Sequence, residues 1–216
     1  MMRLSILYDN EALDGFEAAW GFACLVDHAG GRVLFDTGGS EEVLAHNMDR
    51  MGVAPETIDA IVISHDHWDH TGGLPAVVHP GVRAFLPGSA SDGLRTDVAG
   101  AAEVVLADSP AEVAPGIRTT GYLPGAVGEQ SLVIGIDGGV LVLTGCAHPG
   151  TRRIIDAASR SGRVTAIVGG FHDLRDLDLL EGMELIGPAH CTTMKEEILG
   201  RFVAAVPVRA GTVLEV

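Results

Sequence analysis

Ser64-His65-Asp66-His67-Trp68-Asp69-His70-Thr71-Gly72-Gly73 puts three histidines and two carboxylates into six residues, directly after the apolar run Ile58 to Ile63. Neutral imidazole and carboxylate are the ligands that suit zinc, manganese and iron. Packed this densely at a strand end without a metal, these groups would repel one another and be costly to desolvate. In an extended segment residues two apart project to the same side, so His65 and His67 can converge on one ion. Asp69 and His70 come where the chain turns toward the next helix and can face a second ion. The stretch reads as a metal site.

The remaining composition narrows what such a site serves. The chain has 216 residues, 47% hydrophobic and 20% charged, which is ample for one core, and residues 1–216 are read as one domain. A net charge of −15 argues against nucleic acid or an anionic membrane as partner through a general basic surface. It leaves room for a phosphate-bearing small molecule, because bound cations would dominate the local field. The segment Met1 to Asp9 reads as a strand rather than a secretory leader, and no apolar stretch approaches the ~20 residues that span a bilayer. Three widely spaced cysteines (Cys24, Cys146 and Cys191) do not suggest a disulfide framework. A cytoplasmic location is expected.

Short apolar runs between glycine-rich turns predict strands over 3–8, 21–27, 32–35, 58–63, 83–86, 103–106, 116–119, 131–136, 140–143, 164–168, 184–186 and 212–216. Helices are expected over 40–51, where Ser40 is the cap and Glu41 and Glu42 fill the first turn, and over 72–78, 151–161, 174–180 and 192–202. The stretch 87–100 lacks clear periodicity and reads as a surface connection. Strands in meanders with helices in both halves suggest an α+β fold of two mixed sheets packed face to face with helices outside.

His65-x-His67-x-Asp69-His70 after a buried strand resembles the signature of the metallo-β-lactamase superfamily, and further blocks extend the resemblance over nearly the whole chain. Leu34-Phe35-Asp36-Thr37-Gly38 is similar to the strand and turn upstream of the His motif. Gly187-Pro188-Ala189-His190-Cys191-Thr192 is similar to the segment that delivers the last His ligand. Gly145-Cys146-Ala147-His148-Pro149-Gly150 and Gly169-Gly170-Phe171-His172 look like the branch that includes a dihydropterin-condensing synthase of methanopterin biosynthesis. The resemblance implies an αββα sandwich with a dinuclear site at one edge. It further implies that His65 and His67 serve a first ion, Asp69 and His70 a second, and His190 completes the second.

Two departures from the hydrolase pattern stand out. Tyr122 occupies the position where a first-site His is usual, and Cys146 the position of the usual bridging Asp. His148 is then the candidate to replace the missing His, with contact to a metal ligand or to the substrate as its alternatives. Cys146 either bridges the ions as thiolate or is a small buried hydrophobe. His172, reached through Gly169-Gly170, is assigned to contact with the substrate or with a metal ligand, with metal ligation itself the lesser option. Asp36 is expected to orient the His loop through hydrogen bonds. Trp68 should point away from the ligand side and either pack under the loop or line the mouth, and Asp66 should point outward or make a local hydrogen bond.

With two divalent ions, zinc first and manganese or iron as alternatives, the expected activity is hydrolysis of a small ester-like, phosphate-bearing or lactone-like substrate by a metal-activated water, with Asp69 as proton carrier. The alternatives are a transferase that condenses a pterin diphosphate with an arylamine, and a non-catalytic ligand-binding module on the same fold.

Overall fold

Alternation of apolar side chains along the strands builds two sheets, each with one face turned to the other. The computed structural model describes residues 2–216. The first sheet contains β1 (Arg3–Tyr8), β2 (Ala23–His28), β3 (Gly31–Phe35), β4 (Ala60–Val62), β5 (Arg83–Pro87), β6 (Glu103–Ala107) and β13 (Val213–Glu215), in the order β13-β1-β2-β3-β4-β5-β6. The second holds β7 (Ala111–Ala114), β8 (Ile117–Thr119), β9 (Leu132–Ile136), β10 (Gly139–Thr144), β11 (Val164–Gly170) and β12 (Leu185–Ala189), in the order β12-β11-β10-β9-β8-β7.

Val33 and Phe35 of β3 point into the space between the sheets, where they join Leu141 and Leu143 of β10 in a fully buried core, while Leu34 faces the other way. That period of two is what a strand buried on one core face requires. Leu34 packs instead with Leu44 and Met48 of helix α1 (Glu41–Arg50) on the outer face of the first sheet. On the outer face of the second sheet, Val142 and Ile167 meet Ile154 of α4 (Thr151–Ala158) and Ile198 of α5 (Lys195–Arg201). Helix, sheet, sheet and helix stack in four layers. Each fully buried aliphatic side chain adds roughly 2 kcal/mol of transfer free energy, so the three clusters hold the layers together.

Local chemistry sets the element ends. Ser40 caps α1, accepting from Val43 N at 3.4 Å, as its position before two acids predicts. The stretch 87–100 is a correction. It contains helix α3 (Asp92–Ala99), capped by Ser91, with Val98 as its one buried residue. So thin an apolar stripe gives little periodicity to read. Strand β7 was not anticipated either; it is an edge strand of four residues.

Four expected helices are shortened or replaced, among them the one over 151–161, which ends at Ala158, and the one over 192–202, which spans Lys195–Arg201. The expected 72–78 helix is instead α2 (Trp68–Thr71) followed by a 3₁₀ turn over Leu74–Ala76. The expected 174–180 helix is a 3₁₀ turn over Leu177–Leu180. Thr192 does not cap α5; its hydroxyl donates to Ala189 O and accepts from Phe171 N, tying β12 to the end of β11.

Strands β3, β4 and β5 run parallel, as do β10, β11 and β12. The carboxyl ends of β3 and β4 and of β10, β11 and β12 therefore lead into the loops that carry Asp36, His65, Cys146, His172 and His190. No helix among the described residues is long and apolar enough to cross a membrane.

Candidate metal centre

Proton bookkeeping in the loop after β4 shows which imidazole nitrogens are free. Asp36 accepts from Ser64 N through Oδ1 and from Ser64 Oγ and His70 Nδ1 through Oδ2, each at 2.7 Å. Since the Ser64 hydroxyl donates to Asp36, it accepts from His65 Nδ1 at 2.9 Å. Asn10 Oδ1 faces His190 Nδ1 at 3.0 Å and also accepts from Gly21 N. In His65, His70 and His190 the proton is thereby placed on Nδ1, so each Nε2 presents a lone pair, the arrangement in which histidine binds metal.

Those lone pairs converge. His65 Nε2 lies 3.0 Å from His67 Nδ1. Tetrahedral zinc with bonds of about 2.0–2.1 Å separates two nitrogen ligands by roughly 3.3 Å, so the spacing fits a shared ion. His148 joins this pair, and all three donor atoms lie within 4.8 Å of one another. Asp69, His70 and His190 form a second such group. In it Asp69 Oδ2 is 3.2 Å from His190 Nε2 and 3.8 Å from His70 Nε2. Cys146 Sγ, 3.3 Å from His70 Nε2, belongs to further groups with His65 and His70 and with His190 and Cys191.

The structure thus brings together His65, His67, Asp69, His70, His148, His190 and Cys146. His172 stays at the rim, its ring 5.3 Å from that of His148, outside every donor group. Tyr122 packs against Gly128 and joins none either. Asp66 accepts from Ser91 N, anchoring α3 to the loop. Trp68 is 64% exposed beside the site rather than packed under it.

Burial disfavours charge on most of these rings. It pushes His65 and His190 below the usual histidine range and His148 to about 4, each with help from neighbouring imidazoles. Burial acts downward on His70 too and is the largest single influence, but the carboxylates of Asp36, Asp69 and Glu129 together outweigh it and hold that ring above the usual value. A hydrogen bond donated by the Cys146 thiol to Cys191, then burial, pushes the Cys146 pKa upward.

Buried ring nitrogens without partners test whether a metal fits. Nε2 of His148, Nε2 of His190 and Nδ1 of His172 make no hydrogen bond, the contact of His190 with Asp69 lacking the required alignment. Leaving such a group unpaired costs roughly 1–3 kcal/mol. Two divalent ions, one in each group, would satisfy the first two. Backbone strain gathers at the same place: among the described residues, Asp36, Ala147 and His190 are the non-glycine residues with positive φ. Such strain clusters where a site over-determines its own geometry.

Residues 21–182 match the family model Lactamase_B, the metallo-beta-lactamase superfamily. The chain belongs to the metallo-beta-lactamase superfamily. Within it, the chain is 26% identical to the 7,8-dihydropterin-6-methyl-4-(β-D-ribofuranosyl)-aminobenzene-5'-phosphate synthase of Methanocaldococcus jannaschii, over 77% of each chain. It is also 26% identical to Tm1679, a metal-dependent hydrolase of the β-lactamase superfamily, whose structure superposes with a TM-score of 0.83 over 100% of this chain and 99% of that one. A diphosphatase of the PhnP family shares the fold at 15% identity, with a TM-score of 0.65 over 100% and 98% of the two chains. The sandwich expected of this superfamily is the fold described above, and the likeness to the synthase places the chain near the branch suggested by its GCxHPG and GGFH blocks.

Sequence reading missed Glu129 and Gln130. The Glu129 carboxylate is fully buried. It accepts from Thr144 Oγ1 and from the backbone N–H groups of Gly145, Cys146, Ala147 and His148, at 2.9–3.1 Å. Burial raises its pKa, but five donors with no acceptor for a carboxyl proton favour the ionised form. Next to it, Gln130 donates from Nε2 to Ile63 O and Phe85 O, and its backbone N–H donates to Ser64 O. The dipeptide spans the sandwich from one donor loop to the other. An acid abutting a buried strand start is costly unless partnered, and that was the only signal in the sequence.

Replacing Asp36 with Asn should weaken metal binding by roughly 10–100-fold, as loss of a residue that orients a metal-ligating histidine does. An amide NH₂ would then face one of three donors. Competition against a chromophoric chelator measures the change; unaltered affinity would show that His70 needs no such support.

Proposed function

We propose that the protein is a metal-dependent hydrolase that binds two divalent ions, zinc first, and cleaves a small ester-like, phosphate-bearing or lactone-like substrate. The observation that carries this reading is the convergence of unprotonated ring nitrogens, a carboxylate and a thiol into two adjoining donor groups. His65, His67 and His148 would hold the first ion, Asp69, His70 and His190 the second, with Cys146 between them. Bound there, divalent ions supply Lewis acidity and lower the pKa of water from 15.7 toward about 7.

The chain's own groups do the rest. Asp69, with Oδ2 at the junction of His70 and His190, is placed to carry a proton to the leaving group. His172, with Nδ1 unpartnered, is assigned to substrate contact. Trp20, 53% exposed with its ring 4.9 Å from that of His190, and Trp68 border the opening and offer apolar surface to a substrate. The 26% identity to Tm1679 over the full chain supports hydrolysis, and the phosphate in the name of the methanogen synthase supports a phosphorylated substrate. One core shared by both sheets supports a single domain over 1–216. Three free thiols suit a reducing compartment such as the cytoplasm.

The identity to the synthase favours a second reading, condensation of a pterin diphosphate with an arylamine, in which the amine displaces diphosphate as the leaving group. A panel of phosphodiester, phosphomonoester and lactone substrates, run on metal-loaded and chelated protein, separates the two. Chelator-sensitive turnover of any of these is expected. Turnover only when a pterin diphosphate and an arylamine are supplied together would establish the transferase instead.

A further inference from the structure

Strand β11 lies between β10 and β12 and runs parallel to both, pairing Gly169 with Thr144 and Gly170 with Ala189. The chain leaves β10 into Gly145-Cys146 and leaves β12 into His190-Cys191. Both cysteines therefore come off strands that flank the same glycine. A Cβ on Gly170 would meet Gly145 O at 2.4 Å and Cys191 Sγ at 2.7 Å. No side chain other than hydrogen leaves room there for the second thiol. Over that gap Cys191 Sγ reaches to 3.9 Å from Cys146 O, and the donor atoms of Cys146, His190 and Cys191 lie within 4.8 Å of one another. Two thiolates on one tetrahedral zinc, with bonds of about 2.3 Å, stand roughly 3.8 Å apart.

We infer that Cys146 and Cys191 act together as a two-thiolate edge of the metal centre, which fits it for zinc and other thiophilic ions over manganese or magnesium. The inference rests on the proposed function only in that the site holds metal; it needs no particular reaction. Each thiol releases its proton to solvent as it binds, as coordinating thiols do. Soft sulfur donors favour zinc, whereas carboxylate, carbonyl and water suit manganese and magnesium. Cys146 also lies in the group with His65 and His70, so it is the donor common to both halves of the centre. Cys191 touches only the half with His190. Cys24, fully buried within the core between the sheets, takes no part.

Cobalt(II) reports these bonds directly, because thiolate ligation adds a near-ultraviolet charge-transfer band to the visible bands of the ion. The full chain, stripped and reloaded with cobalt, should show both. Cys191→Ser should lower the charge-transfer band to about half, Cys146→Ser likewise, and the double variant should lose it while visible bands persist, since nitrogen and oxygen donors remain. A Cys191→Ser spectrum with the band undiminished would overturn the assignment. Visible bands without a charge-transfer band in the unsubstituted protein would overturn the thiolate pair alone, whereas no cobalt uptake would overturn the metal centre itself. Should a variant fail to fold, iodoacetamide labelling of the unsubstituted protein serves instead. Cys191 should be alkylated in the metal-free protein and protected once zinc is bound; equal labelling in both would contradict the proposal.

Discussion

His67→Ala and Asp69→Ala are each expected to lower turnover of the best panel substrate by about a thousandfold or more, because without the ion the reacting water keeps a pKa near ~15.7. The two residues sit in different donor groups, His67 with His65 and His148, Asp69 with His70 and His190. Losing either should therefore disable a centre that needs both ions. Neither change empties the core, since His67 is half-buried and the Asp69 side chain is 10% exposed at the opening. His79→Ala is the contrasting variant. Its ring nitrogens meet only Ile58 O and Gly81 N, at the amino end of β4 and away from the donor loop that follows its carboxyl end, so activity should stay within about twofold of the parent, as for surface changes generally. Rates and metal content measured on the same three preparations decide the matter. An equal fall in all three would mean that the loss comes from the fold and not from the centre.

Glu129→Ala should destabilise the protein by about 4 kcal/mol or more, among the largest effects a single substitution produces. It would leave the N–H groups of Gly145 to His148 without an acceptor inside a closed loop where water does not reach. The same loop carries Cys146 and His148, so metal binding should fall with stability. Glu129→Gln separates the two effects. One amide oxygen can still receive the N–H groups that Oε1 receives, but its NH₂ would face the His148 N–H. This variant should therefore recover part of the stability, seen in denaturant midpoints, while His148 and the metal it holds remain displaced. A Glu129→Ala protein with unchanged midpoint would show that the loop holds its shape without the carboxylate.

The contrast between the two predictions shows which parts of the site were legible in the chain. His65, His67, Asp69 and His70 announce themselves because four donors of metal-binding type lie within six residues. His148 and His190 were found because each sits in a short block whose resemblance to a family is specific. Glu129 and Gln130 gave no comparable signal. The partners of the Glu129 carboxylate and of Gln130 Nε2 lie 15 to 67 residues away in the chain, on strands and loops of both sheets, and such a clamp exists only once the sandwich has closed. The same logic governs the elements. Strands with core residues at alternate positions, such as β3 and β10, were read nearly to their ends, whereas α3 with one buried residue was not. Ser91 was its one cue, a cap before a helix whose exposed faces carry no period.

Metal content per chain, measured by elemental analysis on protein purified without chelator or metal-affinity resin, tests the central claim most directly. About two ions per chain, zinc foremost, are expected from the two donor groups, His65 with His67 and His148, and Asp69 with His70 and His190. A single ion would show that the two groups close on one centre. No metal, and none taken up on reconstitution, would contradict the account and leave a ligand-binding module on this fold as the reading to pursue.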